Sequence, residues 1–424
     1  MQSINKTEYY LVGIKGTGMS SLAKLLKEEG NEVVGSDVDE YYFTEDTLKE
    51  QEIEIKSFNR SNITKDYFYI IGNAFNKSNI EVDEIINQKN DYLYYHEFIG
   101  QKLNKKIIAC SGTHGKTTTS FLLVDFLKKE CNYIIGDGEG GSFDTDLLVL
   151  EACEYKEHFL SYHPELLIIT NIELDHTDFY KNEKQLFTSF QKLANQSQMV
   201  LVNGDDKWGK KIKHINKLTY GFNKNNDIQI KILSTTTRGY YIQVKYQNNM
   251  YLKVPYLGRH MIYNYVSSYM AAILLKKKPF LSEEGKLPKR RLSTCQFKNS
   301  VVIDDYAHHP TEIKSLCETL RLMYPTKKIN VIFQPHTYER TLHFKKDFIK
   351  VLKKFDKVYI LDVFTSKREN KNYSLQRKID KFFHRFYRYD DECLKCIGKL
   401  DDVWVFLGAG VTNRLIQKIT YENI

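Results

Sequence analysis

Short apolar runs, rich in β-branched and aromatic residues, alternate with stretches of helix length along almost the whole sequence. The runs predict strands at Tyr9–Val12, Glu32–Gly35, Tyr67–Ile71, Lys106–Cys110, Leu147–Glu151, Leu166–Thr170 and Met199–Val202. Later ones are Val301–Ile303, Ile329–Phe333, Lys357–Leu361 and Val403–Leu407. A strand apolar on both faces must be covered on both faces, and helical crossovers between parallel strands do that. The rhythm therefore predicts an α/β chain of mostly parallel sheets. One stretch breaks it: from Ile228 to Leu257 apolar and polar residues alternate, predicting an antiparallel addition with a turn at Asn248-Asn249.

The chain has 424 residues, too many for one ordinary core. Boundaries are expected near Leu103-Asn104-Lys105 and within Ser282–Pro288, giving domains 1–104, 105–284 and 285–424. Hydrophobic residues make up 42% and charged residues 27%, a globular composition. The polar start MQSINKTEYY lacks the order of a signal peptide, and no apolar run is long enough to span a bilayer. A cytoplasmic location without membrane contact is expected. Seven scattered cysteines suit free thiols, and the one CxxC, Cys393 to Cys396, lacks a second pair to complete a zinc set. The net charge of +9 is dispersed, which argues against nucleic acid and suits small anionic substrates.

Two glycine loops follow strands and open helices. In LVGIKGTGMSSLAKLL, Gly13, Gly16 and Gly18 let a backbone approach a pyrophosphate at a helix N-terminus, with Thr17 between them. Asp37, at the end of the second strand, is placed to bind a ribose hydroxyl. A nicotinamide enzyme would share these features but would leave the second loop unexplained. That loop, CSGTHGKTTTS, has Cys110 where the standard phosphate-loop pattern has glycine. Gly112 and Gly115 still permit the nest, and Thr113, His114 and Thr118 complete its backbone. Lys116 can reach the β- and γ-phosphates of ATP, and Thr117 can ligate Mg²⁺. A helix is expected over Phe121–Lys129. The next two strands end in DLLVLEACEY and LLIITNIELDH, so Glu151 and Glu154, then Asn171, Glu173, Asp175 and His176, emerge on the loop's own edge.

GTHGKTTT, EACEY, TNIELDH, GRHMIYN, DDYAHHPTE and FQPHTYERT, in that order, resemble the Mur ligases of peptidoglycan synthesis, and specifically their alanine-adding branch. The resemblance covers nearly the whole chain. It implies an N-terminal Rossmann-like domain for a UDP-sugar, a central P-loop ATPase and a C-terminal Rossmann-like domain. It also implies the reaction: ATP activates the lactyl carboxylate of UDP-N-acetylmuramate as an acyl phosphate, which the amine of L-alanine attacks. A sister activity, attaching a tripeptide to the same sugar nucleotide, is the alternative; a binding-only regulator would have no need of the metal set.

The resemblance carries residue roles as well. Thr117, Glu151 and His176 would hold Mg²⁺, while His260 and Asn264 would flank adenine. Arg291 rather than Arg290 would reach ATP phosphate. Asp305 would orient nucleotide or amine, with Tyr306 and His308 near the amino acid. His336 and Arg340 would meet its carboxylate, a task suited to the two-pronged guanidinium. The chain departs from relatives at Met261, Thr337 and Val411. Oligomeric state is not legible in the sequence.

Overall fold

A computed structural model describes residues 7–128, 130–282, 285–365 and 371–421. Lys129, at the end of the expected helix, and residues 283–284, in the expected second boundary, lie outside them. The protein is a mixed α/β chain of three domains, each built on its own sheet.

The first sheet holds β1 (Glu8–Val12), β2 (Glu32–Asp37), β3 (Glu54–Ser57), β4 (Phe68–Ile71) and β5 (Tyr92–Tyr94). All neighbours pair in parallel, in the order β3-β2-β1-β4-β5. The order reverses beside β1, so the crevice outside its carboxyl end is the switch point where such sheets bind nucleotides. Tyr10, Val12, Tyr69 and Ile71 fill one face of this sheet.

The second sheet is built on β6 (Lys106–Ser111), β7 (Asn132–Ile134), β8 (Gly140–Gly141), β9 (Leu147–Glu151), β10 (Leu166–Ile169), β11 (Met199–Asn203) and β12 (Lys217–Gly221). Their order is β12-β11-β10-β6-β9-β7-β8, parallel throughout except for β8 against β7. Then follow β13 (Ile228–Thr236), β14 (Gly239–Tyr246) and β15 (Asn248–Val254), the antiparallel addition. Its last turn is at Gln247, not at Asn248-Asn249 as expected. Burial of Ile242 against Leu252 sets the register, which pairs Asn248 with Tyr246 and draws both asparagines into the strand. Gln247 alone takes the left-handed conformation.

The third sheet comprises β16 (Ser293–Phe297), β17 (Ser300–Asp305), β18 (Ile329–Phe333), β19 (Lys357–Ile360), β20 (Tyr387–Arg388) and β21 (Val403–Leu407). Its order is β16-β17-β21-β18-β19-β20, parallel except at β16. Val301, Ile303, Val331, Phe333, Val403 and Val405 are buried in one core beneath it.

By contact density the chain divides into two compact units. One comprises 1–173, 183–229 and 264–282; the other comprises 174–182, 230–263 and 283–424. Among the described residues, no helix is long and apolar enough to cross a membrane. Cys393 is buried and Cys396 exposed on a short 3-10 helix, both as free thiols.

Candidate active site

The first unit carries both glycine loops. The N-terminal loop is held by its own acid: Asp37, fully buried, accepts the Lys15 and Val38 backbone N–H groups at 2.9 and 2.8 Å. Lys15 in turn is tied to Glu45 at 2.6 Å and to the Val38 and Glu40 carbonyls. Gly13 has φ 83°, and a Cβ there would stand 2.1 Å from the Phe75 ring. The loop is thus shaped before any ligand arrives, and the helix Thr17–Glu28 starts from it.

That helix is bolted to the turn between β7 and β8. Ser21 Oγ donates to the Ile135 carbonyl at 2.7 Å, and Lys24 pairs with Glu139 at 3.0 Å. A Cβ on Gly140 would come within 2.0 Å of the Ser21 carbonyl.

The second loop leaves β6 at Ser111 and enters the helix Lys116–Phe126. This helix starts five residues before the expected Phe121, because Gly115 in the left-handed conformation (φ 81°) turns the chain directly into it. Thr117 to Ser120 are buried rather than loop residues. The loop is clipped to the exit of β10. Thr113 N–H donates to the Asn171 carbonyl, His114 N–H to Asn171 Oδ1, and Thr170 Oγ1 to the His114 carbonyl at 2.6 Å. A Cβ on Gly115 would meet Asn264 Oδ1 at 2.7 Å, so the expected adenine-side asparagine touches the loop itself.

Lys116 folds back over its loop, donating to the Gly112 and Thr113 carbonyls and to Glu154 at 3.0 Å. Burial works against its charge, but Glu154 more than compensates and raises its pKa, so it stays protonated. Glu151, at the end of β9, accepts the Gly136 N–H at 2.9 Å. A Cβ at 136 would lie 2.3 Å from that carboxylate oxygen, so only a glycine admits it so close.

The second unit gathers the C-terminal candidates at the carboxyl edge of its sheet. Arg290 and Arg291 part company here. Arg290 is buried, reaching Asp304 at 3.1 Å, the Gly408 carbonyl at 2.7 Å and Thr412 at 2.9 Å. Arg291 is half-buried, its guanidinium 5.1 Å from the centre of the Tyr306 ring. Asp305 accepts the Leu292 and Ala307 N–H groups at 2.9 Å each. Burial pushes its carboxyl up to about 6, against the pull of Arg291 and these hydrogen bonds.

For His308, burial and then the Arg340 charge outweigh the opposing pull of Glu312, Asp175 and the Tyr306 carbonyl and lower it to about 4. Burial likewise lowers His260 to about 4. Both are neutral near pH 7. His308 packs edge-on against His336. Arg340, 4% exposed, grips Asp175 with two bonds of 2.8 and 3.0 Å, and its third nitrogen meets His336 Nδ1 at 2.6 Å. Guanidinium has no acceptor, so Nδ1 must accept and the His336 proton sits on Nε2. Burial opposes ionisation of Asp175, yet the Arg340 charge holds it well below the usual carboxylate range. His176, next in sequence, has φ 50° and donates its N–H to Asp175 at 2.7 Å.

Gln334, which the sequence reading passed over, ties this edge together by donating its N–H to the Leu407 carbonyl and accepting that of Val411. Val411 thus contributes its backbone. Glutamine after a strand has no local signature, so only the fold reveals it.

Three Mur ligase family models match in chain order. Residues 8–106 match the Mur ligase family catalytic domain, 137–272 the Mur ligase middle domain and 290–409 the Mur ligase glutamate ligase domain. The chain belongs to the Mur ligase family. Its structure is similar to that of the UDP-N-acetylmuramate-alanine ligase MurC from Thermotoga maritima, at 25% identity, covering 98% of this chain and 99% of that one with a TM-score of 0.80. A murein peptide ligase from Psychrobacter arcticus shares the fold at 19% identity, 98% and 99% coverage and a TM-score of 0.73. A MurF ligase from Thermotoga maritima in complex with ADP shares it at 16% identity, 85% and 95% coverage and a TM-score of 0.60. Mur ligases are ATP-dependent and use UDP-N-acetylmuramate substrates, with an amino-acid substrate that differs among members.

Proposed function

We propose that this Mur ligase joins L-alanine to the lactyl carboxylate of UDP-N-acetylmuramate, using ATP, in peptidoglycan precursor synthesis. The observation that carries the reading is the end-to-end likeness to the Thermotoga alanine ligase, with a TM-score of 0.80 against 0.73 for the murein peptide ligase. A cytoplasmic setting belongs to the same proposal.

The chemistry required explains the residue types. A carboxylate is a poor electrophile because oxide would have to leave; transfer of the γ-phosphoryl group converts it into an acyl phosphate. The alanine amine then attacks the carbonyl carbon, and phosphate departs with the C–O bonding pair. Both first reactants are anions, so positive charge must lie between them. Lys116, held protonated, supplies one such charge at the loop. The first-turn N–H groups of the helix Lys116–Phe126 point at the same place, and Arg291 is the arginine available to phosphate in the second unit.

Thr117 hydroxyl and Glu151 carboxylate are the hard oxygen donors that Mg²⁺ takes, and the glycine seat at 136 fixes the carboxylate. They would hold the ion, with His176 joining them on the family pattern. When bound, Mg²⁺ neutralises phosphate charge and polarises the transferring group. In the N-terminal domain, Gly13, Gly16, Thr17 and Gly18 would cradle the UDP pyrophosphate. Asp37 acts by shaping that loop, since both its oxygens accept backbone N–H groups.

The test is phosphate release from ATP with Mg²⁺ and UDP-N-acetylmuramate, with and without L-alanine, alongside product mass. Alanine-dependent release with a gain of one alanyl residue is expected. Release with L-Ala-γ-D-Glu-containing tripeptide and none with alanine would move the chain to the murein-recycling reaction.

A further inference from the structure

Arg340 is the arginine expected to grip the carboxylate of the incoming amino acid, yet its fork already holds one. Asp175 takes Nε at 2.8 Å and a terminal nitrogen at 3.0 Å, and His336 takes the remaining nitrogen. The two charged side chains are 5% and 8% exposed, so solvent barely weakens the pair. An amino-acid carboxylate presents the same two oxygens to the same donors; both cannot sit in the one fork.

We propose that Asp175 is a built-in competitor for the acceptor's carboxylate, so that acceptor binding proceeds by exchange of one carboxylate for another at Arg340. Asp175 is then a positioning residue that sets acceptor affinity. The inference rests on the ligase reading above. A ligand that binds only the minor, open form of a site has its affinity reduced by the fraction open. Asp175 lies on the segment 174–182, whose turn is closed by the Phe179 and Tyr180 N–H groups donating to the His176 carbonyl. Release of Arg340 removes one of the ties on the short segment that also carries His176.

Asp175→Asn keeps the size of the side chain and an acceptor for His176 N–H but removes the charge that holds the fork. If less than a tenth of the native protein has an open fork, the variant's acceptor KM falls about tenfold or more. The KM for ATP stays near the native value, and Asp175→Glu returns the acceptor KM toward it. A brace that merely orients Arg340 gives the opposite sign: the acceptor KM rises in Asp175→Asn, and the proposal is overturned.

Because the variant leaves a buried arginine without its partner and can fail to fold, a second measurement uses the native protein. Hydrogen exchange in peptides covering 174–182 is compared with L-alanine and with L-alaninamide, which lacks the carboxylate. Faster exchange with alanine supports displacement; equal exchange overturns it. The kinetic assay is run with both alanine and tripeptide. Turnover with tripeptide alone overturns the alanine reading while the sign of the KM change is still read on the active acceptor. Turnover with neither overturns both.

Discussion

At the scale of single residues, the clearest contrast is between two neighbouring arginines. Arg290 is fastened to Asp304 and to two carbonyls of the 408–410 turn, while Arg291 lies over Tyr306. Removing one partner of a buried ion pair leaves an uncompensated charge and costs on the order of 3–5 kcal/mol. Arg290→Met should lose stability on that scale in urea unfolding, whereas Arg291→Ala should unfold near the native midpoint and lose turnover. The reverse pattern would exchange their roles. Lys116 gives a second prediction. Its alanine variant should lower kcat about a hundredfold or more, as loss of a preorganised charge does, and leave UDP-sugar binding by calorimetry little changed. The sequence singles out Lys116 through its glycine loop, a local signal, whereas Arg291 and Arg340 stand out only through the family resemblance. It could not show that Glu154 holds Lys116, or that Asp175 holds Arg340, because such pairs join residues 38 and 165 positions apart.

Among elements, the long buried strands were legible and the short ones were not. β9, β18 and β21 have the expected bounds because each is an apolar run covered on both faces. β3, β16 and β20 are polar edge strands, and β8 is two glycines, so none carries the apolar run that marks a strand. The P-loop helix was placed too late for a related reason: KTTTS shows no helical apolar period. The helix Tyr95–Gln101 offers a test of packing between elements. Alanine is the better helix former than glycine by roughly 1 kcal/mol. Yet a Cβ on Gly100 would stand 2.2 Å from the Ser161 carbonyl, a backbone atom that cannot rotate away. Gly100→Ala should therefore destabilise, by about 1–3 kcal/mol as overpacking does. A higher melting temperature for the variant would refute the clash.

Across the whole molecule, buried titrating groups give the folded state an acid profile with two opposing parts. His260 and His308 titrate near 4 when folded, against 6.5 when free. Between about pH 4 and 6.5 the unfolded chain holds protons there that the folded chain does not, so stability rises with pH. Asp305 runs the other way. Its folded value of about 6 lies above the free 3.8, so the folded chain holds the extra proton and stability falls as pH rises through that window. His308→Gln should flatten the upward slope of unfolding free energy between pH 4 and 6.5, and Asp305→Asn should steepen it. Denaturant titrations at several pH values read both signs.

The bolt between the helix Thr17–Glu28 and the β7–β8 turn reaches further than its few contacts suggest. Ser21, Lys24 and the bare backbone of Gly140 join the helix that opens at the first glycine loop to the stretch whose Gly136 seats Glu151. The seam between the first two domains is therefore continuous with the seat of Glu151 and not a hinge to be cut. A fragment ended after Leu103 would expose serines and a lysine shaped for a surface that had been removed. Modular dissection of this chain should keep the first two sheets together, and exchange of N-terminal modules between relatives must carry the matching turn along.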